Sequence, residues 1–230
     1  MLDLAANLQS IKQRIAEAEK RANRSPGSVS LLAVSKSQPI PLIAQLVAAG
    51  HHWIGENYLQ EALLKISALS NKDIVWHYIG SIQSKKTQAI ATHFKWVHTI
   101  TRLKEASLLS AFRSQAADPL NVCIQIKLDD IPKKTGVDKH EVFTLIDDIK
   151  KLPGLHLRGL MLLPPFVAEI EKQRDYFKQS EDLLGACNDN GANLDTLSMG
   201  MTHDFEAAIE HGATIVRVGT GLFGKRRNIE

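Results

Sequence analysis

Short apolar runs alternate with stretches of helical spacing along the whole chain. Leu4, Leu8, Ile11 and Ile15 recur every three or four residues, which puts them on one face of an N-terminal helix. Ser25-Pro26-Gly27 then interrupts the chain. Leu31-Leu32-Ala33-Val34 is too short for a buried helix and is bounded by Pro39, so it predicts a strand. A helix follows from about Ile40, with Leu42, Ile43, Leu46 and Val47 as its apolar stripe and a proline in its first turn, where a missing N–H costs nothing. Residues 52–55 predict a second strand. The next helix has Leu59, Leu63, Ile66 and Leu69 inward, with Asn57 as its cap and Gln60 reaching back in a capping box. The alternation continues with strands at 74–79, 95–100, 120–126, 155–160, 196–198 and 215–218, and helices at 84–92, 102–117, 139–152, 169–188 and 203–211 before a short final one.

Strands separated by helices pair in parallel through right-handed crossovers. Eight such units in a chain of 230 residues predict a closed (β/α)8 TIM barrel with an extra N-terminal helix. Residues 1–230 read as one domain. An open doubly wound sheet would place a glycine-rich phosphate loop after the first strand, where this chain has Ser35-Lys36-Ser37.

Composition narrows the picture further. A hydrophobic content of 44% supplies ample core, and no apolar run approaches the length of a membrane span. The first 24 residues are amphipathic and lack a secretory pattern. Two cysteines form no framework and suit a reducing cytoplasm. The net charge of +3 is spread along the chain and points to no nucleic acid, and Lys225-Arg226-Arg227 reads as a solvated tail. No histidine has a convincing metal-ligand spacing. The outer helical stripes are accounted for by the barrel, so a monomer is expected.

Chemistry in such a barrel sits at the C-terminal ends of the strands. The first strand delivers Lys36. An amine at the mouth of an apolar strand is partly desolvated, which disfavours its charge and makes it a nucleophile toward an aldehyde. The seventh and eighth strands deliver Ser198-Met199-Gly200-Met201-Thr202 and Gly219-Thr220-Gly221, each ahead of a helix. Glycine turns and helix starts present N–H groups to an anion, and the hydroxyls of Ser198, Thr202 and Thr220 add donors. The competing reading gives these glycines to tight turns and makes Thr202 a helix cap. Alternation leaves Arg217 inward, or outward on a carboxylate. A lysine, a phosphate site and an inward arginine together describe pyridoxal 5′-phosphate, with the aldehyde as a Schiff base on Lys36 and Arg217 at the pyridine nitrogen. Arginine stays protonated, so it would leave that nitrogen unprotonated and the ring a weak electron sink.

Leu31 to Lys36, Gly55-Glu56-Asn57-Tyr58, Trp76-His77-Tyr78-Ile79-Gly80, Lys134-Thr135-Gly136, Arg158-Gly159-Leu160-Met161, Leu197 to Met201 and Val216 to Thr220 resemble the YggS/PROSC family of pyridoxal phosphate homeostasis proteins. That family is similar to the N-terminal barrel of alanine racemase. The resemblance implies a cytoplasmic fold-type III barrel carrying pyridoxal phosphate on Lys36, with Asn57, Ser198, Met199, Gly200, Thr202, Arg217, Gly219 and Thr220 around it. It also implies a role in cofactor supply and amino-acid metabolism without established catalysis, with pyridoxal-phosphate-dependent apoenzymes as possible recipients. The chain departs from the pattern at Lys85, where an Asn is usual, at Thr202, which replaces Ser but keeps the hydroxyl, and at His203-Asp204-Phe205.

Two enzymatic readings compete. A racemase needs a base on each face of the substrate. Lys36 supplies one, and only one of His77 and Tyr78 can point inward on the third strand. A Schiff-base aldolase acting on a sugar phosphate would also use a barrel lysine, but not an arginine at the ring position.

Overall fold

The computed structural model describes residues 3–114, 118–129, 135–165 and 169–224. Helix α1 (Leu4–Arg21) precedes a run of strands and helices. These are β1 (Ser30–Val34), α2 (Ile40–Ala48), β2 (Trp53–Glu56), α3 (Leu59–Ala68), β3 (Val75–Tyr78), α4 (Thr87–His93), β4 (Trp96–Ile100), α5 (Leu103–Arg113) and β5 (Leu120–Lys127). There follow β6 (Val137–Asp138), α6 (Val142–Lys150), β7 (Leu155–Leu162), α7 (Ile170–Asp189), β8 (Thr196–Ser198), α8 (Phe205–Glu210), β9 (Ile215–Val218) and α9 (Thr220–Phe223).

All the strand pairings are parallel, in the order β4-β3-β2-β1-β9-β8-β7-β5, and the β4–β5 pairing closes the ring. The eight strands of the ring are the eight expected ones. Strand β6 is an addition: two residues that extend β5 at its edge through Ile126 opposite Val137. The strands are near-continuous apolar runs because both faces are covered, one by the helices and one by the barrel's own filling. The larger core lies between sheet and helices and includes Ile54, Ile90, Val97, Leu109, Leu160 and Val216. A smaller cluster of Leu32, Trp96, Cys123, Met161 and Ile215 fills the barrel. The stripe of α1, with Leu4, Leu8, Ile11 and Ile15 buried, packs toward α8 and α9, and Asn7 Nδ2 donates to Leu222 O at 2.9 Å.

Several boundaries differ from the expectation. Helix α3 starts after Tyr58 without a side-chain cap, so the box of Asn57 and Gln60 does not form. A Cβ on Gly80 would lie 1.9 Å from Asn57 O, which shows how closely the end of β3 presses on this stretch of backbone. Its inner face also differs: Leu59, Ala62 and Lys65 are buried, while Leu63 and Ile66 are half-buried. Thr202 does not cap α8, which begins at Phe205 with Asp204 in the cap position. Among the described residues no helix is long and apolar enough to cross a membrane.

Candidate functional site

A cavity of about 280 Å³ opens at the C-terminal ends of β1, β2, β7 and β9. It is close to the lower end of the roughly 300–1,000 Å³ typical of small-molecule sites. Lys36, Asn57, Thr202, Arg217, Gly219 and Thr220 line it, so the fold brings together six of the nine residues singled out from the sequence. Val34, Ile79, Met161 and Leu163 provide its apolar walls. Ser198, Met199 and Gly200 are buried behind the wall and do not line it. Lys85 is exposed on a 3-10 turn away from the cavity, and Lys133, Lys134 and 225–227 lie outside the described residues.

Arg217 points inward, as alternation along β9 allows, and is level with Leu32 of β1. It is 5% exposed. Its Nη1 donates to Ser198 O at 2.6 Å and to Ser198 Oγ at 2.8 Å, and its Nη2 donates to Leu162 O at 2.8 Å. These partners are neutral, and burial pushes the guanidinium pKa down to about 10, still protonated at neutral pH. The arrangement is a fixed cation with donors beside a small cavity. Ser198 is therefore a support for Arg217: its hydroxyl faces Arg217 and His98 rather than the cavity, with His98 Nδ1 2.9 Å away.

That contact continues across the barrel. His98 Nε2 is 3.0 Å from His77 Nδ1, and the His77 ring stacks on Trp96 at 5.3 Å between centroids. Burial lowers both imidazole pKa values, that of His98 to about 3, so both rings are neutral. His77 Nε2 is buried and has no hydrogen-bond partner among the described residues. Of the two residues weighed as a second base, His77 thus points inward but lies beneath the cavity. Tyr78 points outward against Phe94, its hydroxyl donating to Ser81 O at 3.0 Å. The imidazole on the cavity wall belongs to His203, a residue exposed at the rim.

On the same cavity, Thr220 Oγ1 lies 3.1 Å from Thr202 Oγ1, and Gly221 N donates to Thr202 Oγ1 at 3.3 Å. Two hydroxyls thus meet where β9 ends and α9 starts. Gly200 serves the turn instead. Its φ is +89°, and a Cβ there would lie 2.6 Å from Ala208 Cβ. Met201 N donates to Asp204 Oδ1, so this amide is occupied within the loop. Asn57 contributes a buried Oδ1 with no hydrogen-bond partner among the described residues.

The backbone around Lys36 rests on a buried ionic cluster that apolar periodicity could not reveal. Glu56 is fully buried at the end of β2, and Lys65 Nζ is 2.6 Å from its Oε1 and 2.5 Å from Glu61 Oε1. A lysine on the inner face of α3 breaks the rule that such faces are apolar. The i,i+4 spacing of Glu61 and Lys65 was the available signal, and it ordinarily marks a solvated pair. Among the described residues no cluster of His, Cys, Asp and Glu could hold a metal ion, and Cys123 and Cys187 are buried free thiols.

A closed parallel barrel with a lysine after its first strand and an arginine on its last matches the alanine racemase N-terminal domain family over residues 6–227. A pyridoxal phosphate homeostasis protein of Pseudomonas aeruginosa is 46% identical over 98% of this chain and 97% of its own. The structure of PipY from Synechococcus elongatus with pyridoxal phosphate bound superposes with a TM-score of 0.85 at 32% identity, covering 96% of this chain and all of that one. Alanine racemase from Corynebacterium glutamicum shares the fold at a TM-score of 0.69 and 17% identity, with 62% of its chain covered. The chain belongs to the alanine racemase N-terminal domain family, within its branch of pyridoxal phosphate homeostasis proteins.

Proposed function

We propose that this chain binds pyridoxal 5′-phosphate through a Schiff base on Lys36 and serves cofactor homeostasis in the cytoplasm, as a monomeric carrier that passes the cofactor to apoenzymes. The observation that carries the reading is the meeting of Lys36, Arg217 and the Thr202–Thr220 pair on one cavity. The donor set fits the group: an amine for the aldehyde, a buried guanidinium for an aromatic nitrogen, and paired hydroxyls for a phosphate. When bound, pyridoxal phosphate supplies an aldehyde that amines capture and a ring that withdraws electrons.

Each residue then has a defined task. Lys36 anchors the aldehyde. Arg217 donates to the ring nitrogen and, being protonated itself, keeps a proton off it. Thr202 and Thr220 hold the phosphate beside Gly219, where a Cβ would come within 3.3 Å of Val34 O at the end of β1. Ser198, Met199 and Gly200 act from behind, Ser198 by orienting Arg217 and the other two by shaping the loop that carries Thr202. Asn57 offers its unpartnered Oδ1 to a donor on the ligand. Relatives carry the name of homeostasis proteins, which favours a carrier over an enzyme. The exposure of His203 favours it too, because an imidazole in exchange with water is a poor stereospecific base.

Loading the purified protein with pyridoxal phosphate should give a visible absorbance band, and borohydride should fix the cofactor on the Lys36 peptide. Lys36→Ala should lose the band and the covalent adduct while retaining weaker binding of pyridoxine 5′-phosphate, which has no aldehyde. Trapping on a different single lysine, or no band at all in the parent protein, overturns the reading. Amino acids incubated with the loaded protein should keep their chirality.

A further inference from the structure

The two residues that flank Lys36 are each held by a charged side chain from α3. Lys65 Nζ donates to Ser35 O at 2.7 Å, on the N-terminal side of Lys36. Glu61 Oε1 accepts from Ser37 N at 2.6 Å, on the C-terminal side. Glu56 ties in the Ser35 hydroxyl, and Lys65 bridges the two carboxylates. Glu56 and Lys65 are 0% and 3% exposed. Ser37 has a φ of +60°, a left-handed conformation that a serine adopts only under constraint.

A buried ion pair is a poor stabilising device, since the loss of hydration offsets most of the attraction, and well-packed apolar residues do as well. Placing three ionic groups behind one three-residue turn therefore calls for a local reason. The turn carries the amine that must meet an aldehyde held elsewhere, and a flexible four-carbon side chain reaches a fixed point reproducibly only from a fixed backbone. Gln38 N closes the turn on Ser35 O at 3.0 Å, and the Glu61 contact at Ser37 N, with Lys65 on the same Ser35 O, fixes that turn against α3, so that loss of the α3 contacts would let the turn and Lys36 shift together.

We infer that Glu61 and Lys65 are positioning residues for Lys36: they fix its backbone so that covalent capture of pyridoxal phosphate depends on them, while non-covalent binding of the ring and phosphate does not. This rests on the proposed role of Lys36. It assigns no contact between α3 and the cofactor.

The experiment compares two ligands on one set of variants. Glu61→Ala removes a half-buried side chain on a helix, so the fold should persist. The rate of borohydride-trappable capture of pyridoxal phosphate should fall about tenfold or more, as expected for loss of a charge-assisted hydrogen bond at the turn. The dissociation constant for pyridoxine 5′-phosphate should stay within about twofold of the parent. Glu61→Gln keeps an acceptor for Ser37 N and should recover most of the capture rate. The double variant Glu56→Gln/Lys65→Met removes the buried pair without stranding a charge, and should show the same split. Capture at the parental rate in Glu61→Ala, or a parallel loss of both ligands, overturns the inference. Absence of trapping on Lys36 in the parent would instead overturn the reading on which it rests.

Discussion

Arg217 shows what a single residue can and cannot disclose. Its inward orientation follows from alternation along β9, and the structure puts it there, 5% exposed. Its anchoring on Ser198 could not be read from the sequence. The hydroxyl precedes a glycine turn, a position that points to a phosphate, and the partner that claims it, His98, is one hundred residues away. A guanidinium held by neutral oxygens keeps its charge available for a ligand acceptor. Arg217→Gln should therefore weaken pyridoxine 5′-phosphate by about tenfold or more, a charge-assisted hydrogen bond being worth roughly 1.5–3 kcal/mol. Isothermal titration of both proteins checks this, and unchanged affinity would remove Arg217 from the ligand's contacts.

At the scale of elements the alternation of strand and helix was fully legible, because a parallel barrel buries every strand on both faces and leaves each helix one apolar stripe. What escaped were features set by contacts between distant segments. Strand β6 is two residues long and exists through its pairing with Ile126 and Lys127. The capping box at α3 is absent because the cap position falls on Tyr58, one residue past Asn57, where Gly80 packs against the Asn57 backbone. The loop after β8 is the instructive case, since its glycine was open to two readings. Gly200 takes a φ of +89° and lies so close to α8 that a Cβ would be 3.0 Å from Phe205 Cα and 2.6 Å from Ala208 Cβ. The turn reading accounts for both facts. Gly200→Ala should cost about 2–4 kcal/mol, from the left-handed penalty plus overpacking against a helix. Urea unfolding measures it, and a change below about 0.5 kcal/mol, the range of a neutral surface substitution, would contradict the packing described. Thr202 sits two residues further on, so the same variant should also loosen phosphate-dependent binding.

The whole molecule carries an unusual filling for a barrel. Such interiors are dominated by branched aliphatic side chains in layers. Here Trp53, Trp96, His77 and His98 occupy the middle, with ring centroids 4.8–6.1 Å apart. The sequence displayed these residues at alternate strand positions, but their union depends on the register of β2, β3 and β4, which closure of the ring fixes. Histidines enclosed in this way must be neutral, and that couples folding to pH. His98 has its pKa lowered to about 3 and His77 well below the ordinary 6.5, and His51, buried just ahead of β2 with its Nε2 3.0 Å from Trp53 O, is lowered to about 4, each chiefly by burial. Above about pH 7.5 these rings are neutral in both the folded and unfolded chain and add almost no pH dependence. Below 6.5 the unfolded chain takes up protons that the folded one cannot, so stability is lost as pH falls toward the folded values. Each ring contributes a slope of about 1.4 kcal/mol per pH unit, so three give roughly 4 kcal/mol per unit between pH 6 and 5. Ordinary carboxylates titrate mostly below that window, while burial raises Glu56 and Asp204 toward it, so the histidine share is read from the difference a histidine variant makes. Urea midpoints measured at pH 7.5, 6.5, 6.0, 5.5 and 5.0 should decline slightly over the first step and fall steeply afterwards. His98→Gln should lower the slope by about one proton's share. A midpoint that stays constant from pH 6.5 to 5.0 would mean that these rings accept protons within the folded barrel, and the neutral His77–His98–Ser198 chain behind Arg217 would have to be abandoned.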